Sequence, residues 1–403
     1  MRNTIQRYFR VVATGVALTV FFSCAAAAEK QGRISNVNGL AVVELQGTPY
    51  EIGYQHGSLL KEQIKDVYKI YLNELVYNKW IKEYAILGKG GKDAWANPRK
   101  AMAKFSKSIE KFIPEEYIEE MKGIADGAGL DYIDVLNMSA HVDYFAILCS
   151  TLVAGGPASA DGKLVEARNL DWAQGGLRDL DKYSTVFVIR PDNGHPFVSV
   201  IYPGLVGVLT AVNDSKITAE LNFSMAKENG KNGVPALILM RNLIQYSSTL
   251  DEAEKILRDS TRLAGYNIVV ADGKTSDARL IEISATTVGT LGLKDGTLVS
   301  TNHFITDSLA GANVETSQFS SSPSPDRFNR LTELLKEYNG KVTVENAIAM
   351  IHDDIVKVPG TVQTIVFKPE ENLIWVWTRN RAAGDFVKFN TADLISGAET
   401  PGN

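Results

Sequence analysis

The chain has 403 residues, 45% of them hydrophobic, and its 42 basic against 47 acidic side chains leave a formal charge of -5. That is enough apolar material to bury a sizeable core, in one large domain or two tightly joined ones. The acidic balance argues against nucleic acid or an anionic membrane surface as a partner.

At the start, Arg2, Arg7 and Arg10 precede the largely apolar run Val11 to Phe22, and Ala25 to Ala28 supply small residues for a signal peptidase. This pattern predicts a secretory signal, residues 1–28, cut near Ala28, and a periplasmic or secreted protein. The run is short for a bilayer span of about 20 residues, and no later segment is long and apolar enough to cross. Cys24 offers a competing reading, lipidation, but Phe21-Phe22-Ser23 is a poor match to the residues that precede a lipoprotein cysteine. Loss of residues 1–28 removes three arginines and no acid, so the remaining 375 residues carry -8. Cys149 is then the sole cysteine, an internal disulfide is impossible, and an unpaired thiol kept in an oxidising compartment suggests a use.

Upstream of Cys149 the apolar residues recur at helical spacing over Ser58–Trp80, Pro98–Phe112, Pro114–Gly129 and Asp131–Ala140. Residues 29–148 therefore read as a helical segment that partly wraps a core. Downstream, β-branched runs separated by turn residues predict strands at Leu164–Asn169, Ser184–Arg190, Phe197–Tyr202, Val206–Val212 and Ile217–Phe223. Pro191-Asp192-Asn193-Gly194 marks a hairpin between two of them. Helices follow at Pro235–Tyr246 and Leu250–Asp259, then strands at Tyr266–Ala271, Ala278–Ser284 and Thr297–Asn302. The theme repeats with helices at Asp326–Tyr338 and Val344–Asp353 and strands at Thr364–Phe367 and Leu373–Thr378. This order predicts an α+β fold in which two antiparallel sheets stack face to face between helical layers, a four-layer αββα sandwich. Residues 149–403 would form this sandwich.

Cys149-Ser150-Thr151-Leu152-Val153 is followed, after the turn Asp161-Gly162, by Arg168-Asn169-Leu170-Asp171-Trp172. A thiol with an arginine and an aspartate one hairpin downstream has the residue types of an activated nucleophile. Taken singly, Arg168 and Asp171 read as a structural ion pair, and Asn222 and Asn302 as turn caps. Trp375 and Trp377 read as sheet packing and His352-Asp353-Asp354 as a solvated helix end; no metal site and no cofactor is called for. Gly88, Gly90 and Gly91 lack the context of a phosphate loop.

Several short motifs, in order, resemble the N-terminal-nucleophile hydrolases of the acyltransferase and amide-hydrolase branch: isopenicillin N acyltransferase-like proteins, choloylglycine hydrolases and acid ceramidase with its N-acylethanolamine amidase relative. Gly47-Thr48-Pro49-Tyr50-Glu51-Ile52-Gly53 with His56-Gly57, and Glu120 to Gly129, resemble the acyltransferase-like pro-segment. The Cys149 block and Arg168-Asn169-Leu170-Asp171 are similar to all three groups. Leu221-Asn222-Phe223, Thr301-Asn302-His303-Phe304 and Ser321-Ser322 before Asp326-Arg327-Phe328 resemble later motifs of choloylglycine hydrolases. Ser150 stands where most relatives have Thr, and Leu148 where acyltransferase-like members often have Gly.

The resemblance implies that the precursor cuts itself between Leu148 and Cys149, leaving two associated fragments, and that Cys149 then uses its own α-amino group as base. It assigns Arg168 to lowering the thiol pKa, Asp171 to holding the amino group, Asn222 and Asn302 to the oxyanion hole and substrate amide, and Arg327 to a cation near the thiol. The implied reaction is cleavage of a non-peptide N-acyl amide through a thioester, resolved by water or an acceptor amine. Phe145, Trp172, Phe223 and Phe304 suggest a hydrophobic acyl group. Two rivals stay open: a papain-like thiol hydrolase with His303 as base, and an exported binding protein without chemistry. The sequence leaves homo-oligomerisation open.

Overall fold

The computed structural model describes residues 31–81, 96–140, 147–172, 180–228, 230, 232–314, 322–381 and 385–398. The expected signal segment, Phe145, Ser321 and the glycines at 88, 90 and 91 lie outside them.

Two strands precede the first helix, β1 (Arg33–Val37) and β2 (Leu40–Gly47). Asn38 and Gly39 between them take φ of 48° and 84°, the paired left-handed residues of a tight two-residue hairpin. These strands add to the mostly helical reading of residues 29–148. Helix α1 (Pro49–Leu59) starts nine residues before the expected Ser58, fixed by a capping box between Thr48 and Glu51 with Pro49 in the first turn. After α2 (Lys61–Val67) and a wider π-type helical stretch (Tyr68–Trp80) come α3 (Pro98–Ile109), α4 (Glu115–Ala128) and α5 (Tyr132–Ala140).

Strands β3 (Ile147–Ala154), β4 (Val165–Trp172), β5 (Thr185–Pro191), β6 (Phe197–Ile201), β7 (Thr210–Asn213) and β8 (Ile217–Phe223) follow. Then come α6 (Ala236–Tyr246), α7 (Leu250–Asp259), β9 (Tyr266–Asp272), β10 (Asp277–Ile283), β11 (Val288–Gly292) and β12 (Thr297–Ser300). Helices α8 (Ser324–Glu337) and α9 (Val344–Ile351), strands β13 (Thr361–Lys368), β14 (Leu373–Thr378) and β15 (Val387–Asn390), and α10 (Thr391–Ser396) complete the order.

The strands form a nine-stranded sheet, β1-β2-β5-β6-β7-β8-β9-β10-β11, and a six-stranded sheet, β12-β3-β4-β13-β14-β15. All pairs are antiparallel except β2 with β5, so the sheets are not wholly antiparallel as expected. Strand alternation sorts the side chains into layers. Val42, Val188 and Val200 of the large sheet meet Ile365, Phe367 and Val376 of the small one, which stacks the two faces. The other face of the large sheet packs on the helices that precede Cys149 and on α6 and α7. Leu152, Ala167 and Val366 of the small sheet pack under α8 and α9. The four-layer α+β sandwich is therefore present.

Helices α1 and α4 meet through glycines. A Cβ at Gly53 would lie 1.9 Å from the Glu120 carbonyl oxygen, and one at Gly123 would lie 2.2 Å from that of Tyr50. Gly57 and Gly127 repeat the pattern one turn on. This close approach is what the two glycine-bearing upstream motifs encode. The same segment is tied to the rest by β2 pairing with β5, and by buried Glu120, whose Oε2 accepts from Arg241 Nη2 of α6 at 3.1 Å. His56 Nε2 accepts the Gly204 N–H at 3.0 Å, and burial drops its pKa to about 3, so the ring stays neutral.

Candidate active site

Cys149 lies on β3, fully buried, with Leu170 of β4 as its register partner. Thr151 on the same face stands opposite Arg168, so both project between the two sheets with the thiol. Arg168 Nη2 donates to Cys149 Sγ at 3.1 Å and also to the Leu221 carbonyl of β8, while Nη1 donates to Thr210 Oγ1 of β7 at 2.8 Å. The guanidinium thus links the nucleophile candidate to the facing sheet. Burial pushes the thiol pKa up; Arg168 opposes this without overturning it in the intact chain.

The backbone of Cys149 is held from the other side. Its N–H donates to Asn302 Oδ1 at 2.9 Å, and its carbonyl accepts from Arg327 Nη1 at 2.6 Å. Arg327 is also fully buried; Nη1 donates to Ser150 Oγ at 2.7 Å, Nη2 to Asn302 Oδ1 at 2.8 Å, and Nε to the Ser322 carbonyl at 3.1 Å. One planar fork therefore fixes the bond after Cys149, the side chain of Ser150 and the amide of Asn302. The hydroxyl of Ser150 is used in this way.

Asn302 has its orientation set by partner chemistry. Arg327 can only donate, so the oxygen faces it; the Phe223 carbonyl can only accept, and receives Nδ2 at 2.8 Å. Toward Cys149 the side chain consequently presents an acceptor, where the family pattern led to a donor. Asn222 is buried two residues along: its Nδ2 donates to Thr151 Oγ1 and to Ser300 Oγ, each at 3.1 Å. In the intact chain it braces β3 and β12 against β8.

Asp171 pairs with Leu148 across β3 and β4, on the face opposite the thiol. Its Oδ1 accepts from Thr361 Oγ1 at 2.6 Å; Oδ2 is buried without a hydrogen bond, 3.9 Å from Arg327 Nη1. Burial lifts its pKa to about 6 against the attraction of Arg327. Burial likewise lowers the pKa of Arg327, which Asp171 counters. The buried acid and base balance each other beside the bond between Leu148 and Cys149.

Phe223 stacks edge-on with Tyr266, ring centres 5.7 Å apart, in the helix-side core of the large sheet. Phe304 is buried with Ala226 and Leu309 in a separate small cluster. The backbone of Trp172 ends β4 opposite Ile147, and its side chain lies outside the described residues. His303 Nδ1 sits 2.7 Å from Ser324 Oγ and 3.2 Å from Thr301 Oγ1, and burial lowers its pKa. That engagement with its own loop and with α8 gives no support to a base acting on Cys149. Trp377 packs against His352, with Lys357 Nζ 4.1 Å from its ring centre, and Asp353 pairs with Arg330.

Two arrangements escaped the sequence. His195 Nδ1 lies 2.7 Å from Asp214 Oδ1, and its Nε2 lies 2.8 Å from Ser248 Oγ. The order of groups is that of a serine triad, but the Ser248 N–H donates to Glu252 Oε2 at 2.7 Å. A carboxylate there opposes a developing oxyanion. The second is a buried acid pair between the sheets, Glu166 on β4 and Glu220 on β8. Strand alternation places both in the layer of Arg168.

Comparison with known proteins bears out the family resemblance. Residues 159–382, more than half of the chain, match the family described as acyl-coenzyme A:6-aminopenicillanic acid acyl-transferase. An uncharacterized protein of Archaeoglobus fulgidus is 27% identical over 80% of this chain and 59% of its own length. The 40 kDa form of the acyl-coenzyme A:6-aminopenicillanic-acid-acyltransferase of Emericella nidulans is 24% identical over 77% of this chain and 81% of its own. The N-acylethanolamine-hydrolyzing acid amidase of Oryctolagus cuniculus is 27% identical, covering 57% and 62%. Against the Archaeoglobus protein and the two Dictyostelium discoideum relatives, the chain spans between about half and six-tenths of their length. The matched span holds Arg168, Asp171, Asn222, Asn302 and Arg327. The chain belongs to the acyl-coenzyme A:6-aminopenicillanic acid acyl-transferase family.

Proposed function

We propose that the chain is an exported precursor that cuts itself between Leu148 and Cys149 and then cleaves N-acyl amides with the Cys149 thiol. The observation that carries this reading is the double grip on Cys149: Arg168 on its sulfur at 3.1 Å and Asn302 on its nitrogen at 2.9 Å. A structural cysteine needs neither. After scission that nitrogen becomes an α-amino group, with an ordinary pKa of about 8, and takes the thiol proton as sulfur attacks the amide carbonyl. The Asn302 oxygen would keep the amino group in place, and the carboxylate of Asp171, freed from its strand partner Leu148, would supply its counter-charge. Arg168 would stabilise the thiolate.

Collapse of the tetrahedral adduct breaks the carbon–nitrogen bond, the amine leaves with the proton held by the α-amino group, and a thioester remains on Cys149. Water, or an acceptor amine, then releases the acyl group and restores the thiol. Asn222 is proposed to turn toward the oxyanion once the end of β3 is released from Leu148, and Arg327 to keep the Cys149 carbonyl fixed. The two fragments would stay joined through β2 and β5 and the Glu120–Arg241 pair. The named relatives, an acyltransferase and an N-acylethanolamine amidase, support an acyl amide as substrate, and its acyl group is taken to be hydrophobic.

The test is a panel of N-acyl amines and N-acyl amino acids of two to sixteen acyl carbons, given to the processed protein and to Cys149→Ala. Hydrolysis that rises with chain length and is lost in the variant is the expected result. Preference for acetyl would overturn the apolar acyl site, and activity in the variant would overturn the thiol.

A further inference from the structure

We infer that Glu220 is the buried counter-ion of Arg168 and, through that arginine, a positioning residue that sets the protonation of Cys149. The inference rests on the reading of Cys149 as nucleophile.

Glu220 stands on β8 directly opposite Thr210 of β7, and Thr210 receives Arg168 Nη1; the next residue of β8, Leu221, gives its carbonyl to Nη2. The carboxyl is thus flanked by the two residues of the large sheet that hold the guanidinium. Its oxygens make no hydrogen bond of good geometry, the Thr151 hydroxyl of β3 being the polar group that favours its ionised form, and Arg168 Nε has no partner either. Both side chains are buried. Such a carboxyl either keeps its proton or ionises against a nearby cation, and Arg168 is the cation that favours its ionisation.

The layer between the sheets contains few such charges. From β3 comes Cys149; from β4 come Arg168 and Glu166, whose Oε2 accepts from Thr218 Oγ1 at 2.8 Å and whose Oε1 is unpartnered. Strands β7, β9, β12 and β13 face the layer with the uncharged Thr210, Val269, Ser300, Gln363 and Ile365. Glu370, after β13, adds a negative field at Glu166, and Arg327 and Asp171 balance each other at the end of β3. Glu282 of β10 also faces the layer, but its oxygens accept from the Ile305 and Thr306 N–H groups and the Thr306 hydroxyl, which leaves Arg168 as the cation beside Glu220 and the thiol. Burial raises the pKa of Glu166 and Glu220, with Arg168 opposing this at Glu220. The two do not ionise together, and Glu220, which alone of the pair feels Arg168, ionises first, with its pKa raised to about 7.

The consequence reaches the sulfur. While Glu220 is ionised, it takes up part of the field that Arg168 would otherwise exert on Cys149, so the thiol pKa stands higher than one arginine at 3.1 Å would give. Removal of that charge lowers the thiol pKa.

Two readouts on Glu220→Gln test this: thiolate absorbance against pH, taken as the difference from the same protein carrying Cys149→Ala, and the acid limb of kcat/KM against pH. Both are expected to move down by about 1 pH unit, the scale for a charge added or removed close to a titrating group. Glu166→Gln, which leaves the charge on Glu220, is expected to keep both midpoints where they are or raise them. The inference is overturned if folded Glu220→Gln leaves the thiolate midpoint unchanged or raises it, or if Glu166→Gln lowers it. Should Glu220→Gln fail to fold, the Glu166→Gln arm decides alone. Failure of the underlying reading is separate: activity that survives Cys149→Ala would remove the nucleophile, whereas the thiolate titration still reports the coupling.

Discussion

Replacing Asp171 by Asn in a precursor locked by Cys149→Ala isolates the charge that sits beside the scissile bond. In the structure this carboxyl is fully buried, keeps one bond, to Thr361, and reaches Arg327 only at 3.9 Å. Its pKa rises from 3.8 to about 6, so at pH 7 its ionisation costs folding about 3 kcal/mol, at about 1.4 kcal/mol per pH. The folded state keeps the proton between those values while the unfolded state has lost it. The contribution of Asp171 is therefore fully present below pH 3.8 and is lost as pH rises to about 6.

The amide introduced by Asp171→Asn cannot titrate, and the loss of a counter-charge for Arg327 is a constant offset, because an arginine stays charged throughout. Urea unfolding of both proteins at half-unit steps from pH 4 to 7.5 gives the difference directly. The stability of the protein that keeps Asp171, relative to the Asp171→Asn variant, is expected to fall by about 2 kcal/mol between pH 4 and 6 and then level off. A flat difference, or one that grows with pH, would mean that the pull of Arg327 outweighs burial, and the electrostatic description of the site would be wrong.

Three further outcomes follow from the same geometry. Gly53→Ala is expected to lower stability by about 3 kcal/mol, because the new methyl meets the Glu120 carbonyl of α4; Gly311→Ala, which meets nothing within 4 Å, should leave the melting temperature unchanged. Arg168→Gln should reduce kcat about 100-fold with little change in KM, the size of one lost electrostatic contact to the reacting atom, and an unchanged kcat would remove Arg168 from the chemistry. His303→Ala should keep both processing and amidase activity, since its ring is held by Ser324 and Thr301; loss of turnover with intact folding would revive the papain-like alternative.

Local order was legible wherever periodicity and turn residues agreed. The strand over 217–223, the helices over 236–246 and 250–259 and the hairpin at Gly194 follow from short-range rules. Two equally local signals passed unread: Asn38-Gly39, which closes the first hairpin, and Thr48 with Glu51, which starts α1. Both sit inside a stretch whose later helical spacing dominates its appearance. Strand β11 carries two glycines in five residues and β15 a single Lys388 between apolar neighbours, so neither shows the β-branched run that marks the other strands.

The identities of Cys149, Arg168 and Arg327 came from motif order, but not how they meet. Arg327 reaches Cys149 across 178 positions, which no local pattern encodes. Which end of Asn302 faces the nucleophile depends on two partners from different elements, Arg327 and Phe223. Glu166 and Glu220 were hidden for a related reason. Each is an acid at an alternate strand position, the usual mark of a solvent face, and only the stacked second sheet turns that face into an interior.

The account depends most on the chain breaking ahead of Cys149. Intact mass spectrometry of freshly purified wild-type protein and of Cys149→Ala, before and after incubation, tests it directly. The wild type is expected to yield two co-purifying fragments, one beginning at Cys149 with an unmodified amino terminus, while the variant stays in one piece. A wild-type chain that remains unbroken while it turns over acyl amides would contradict the account.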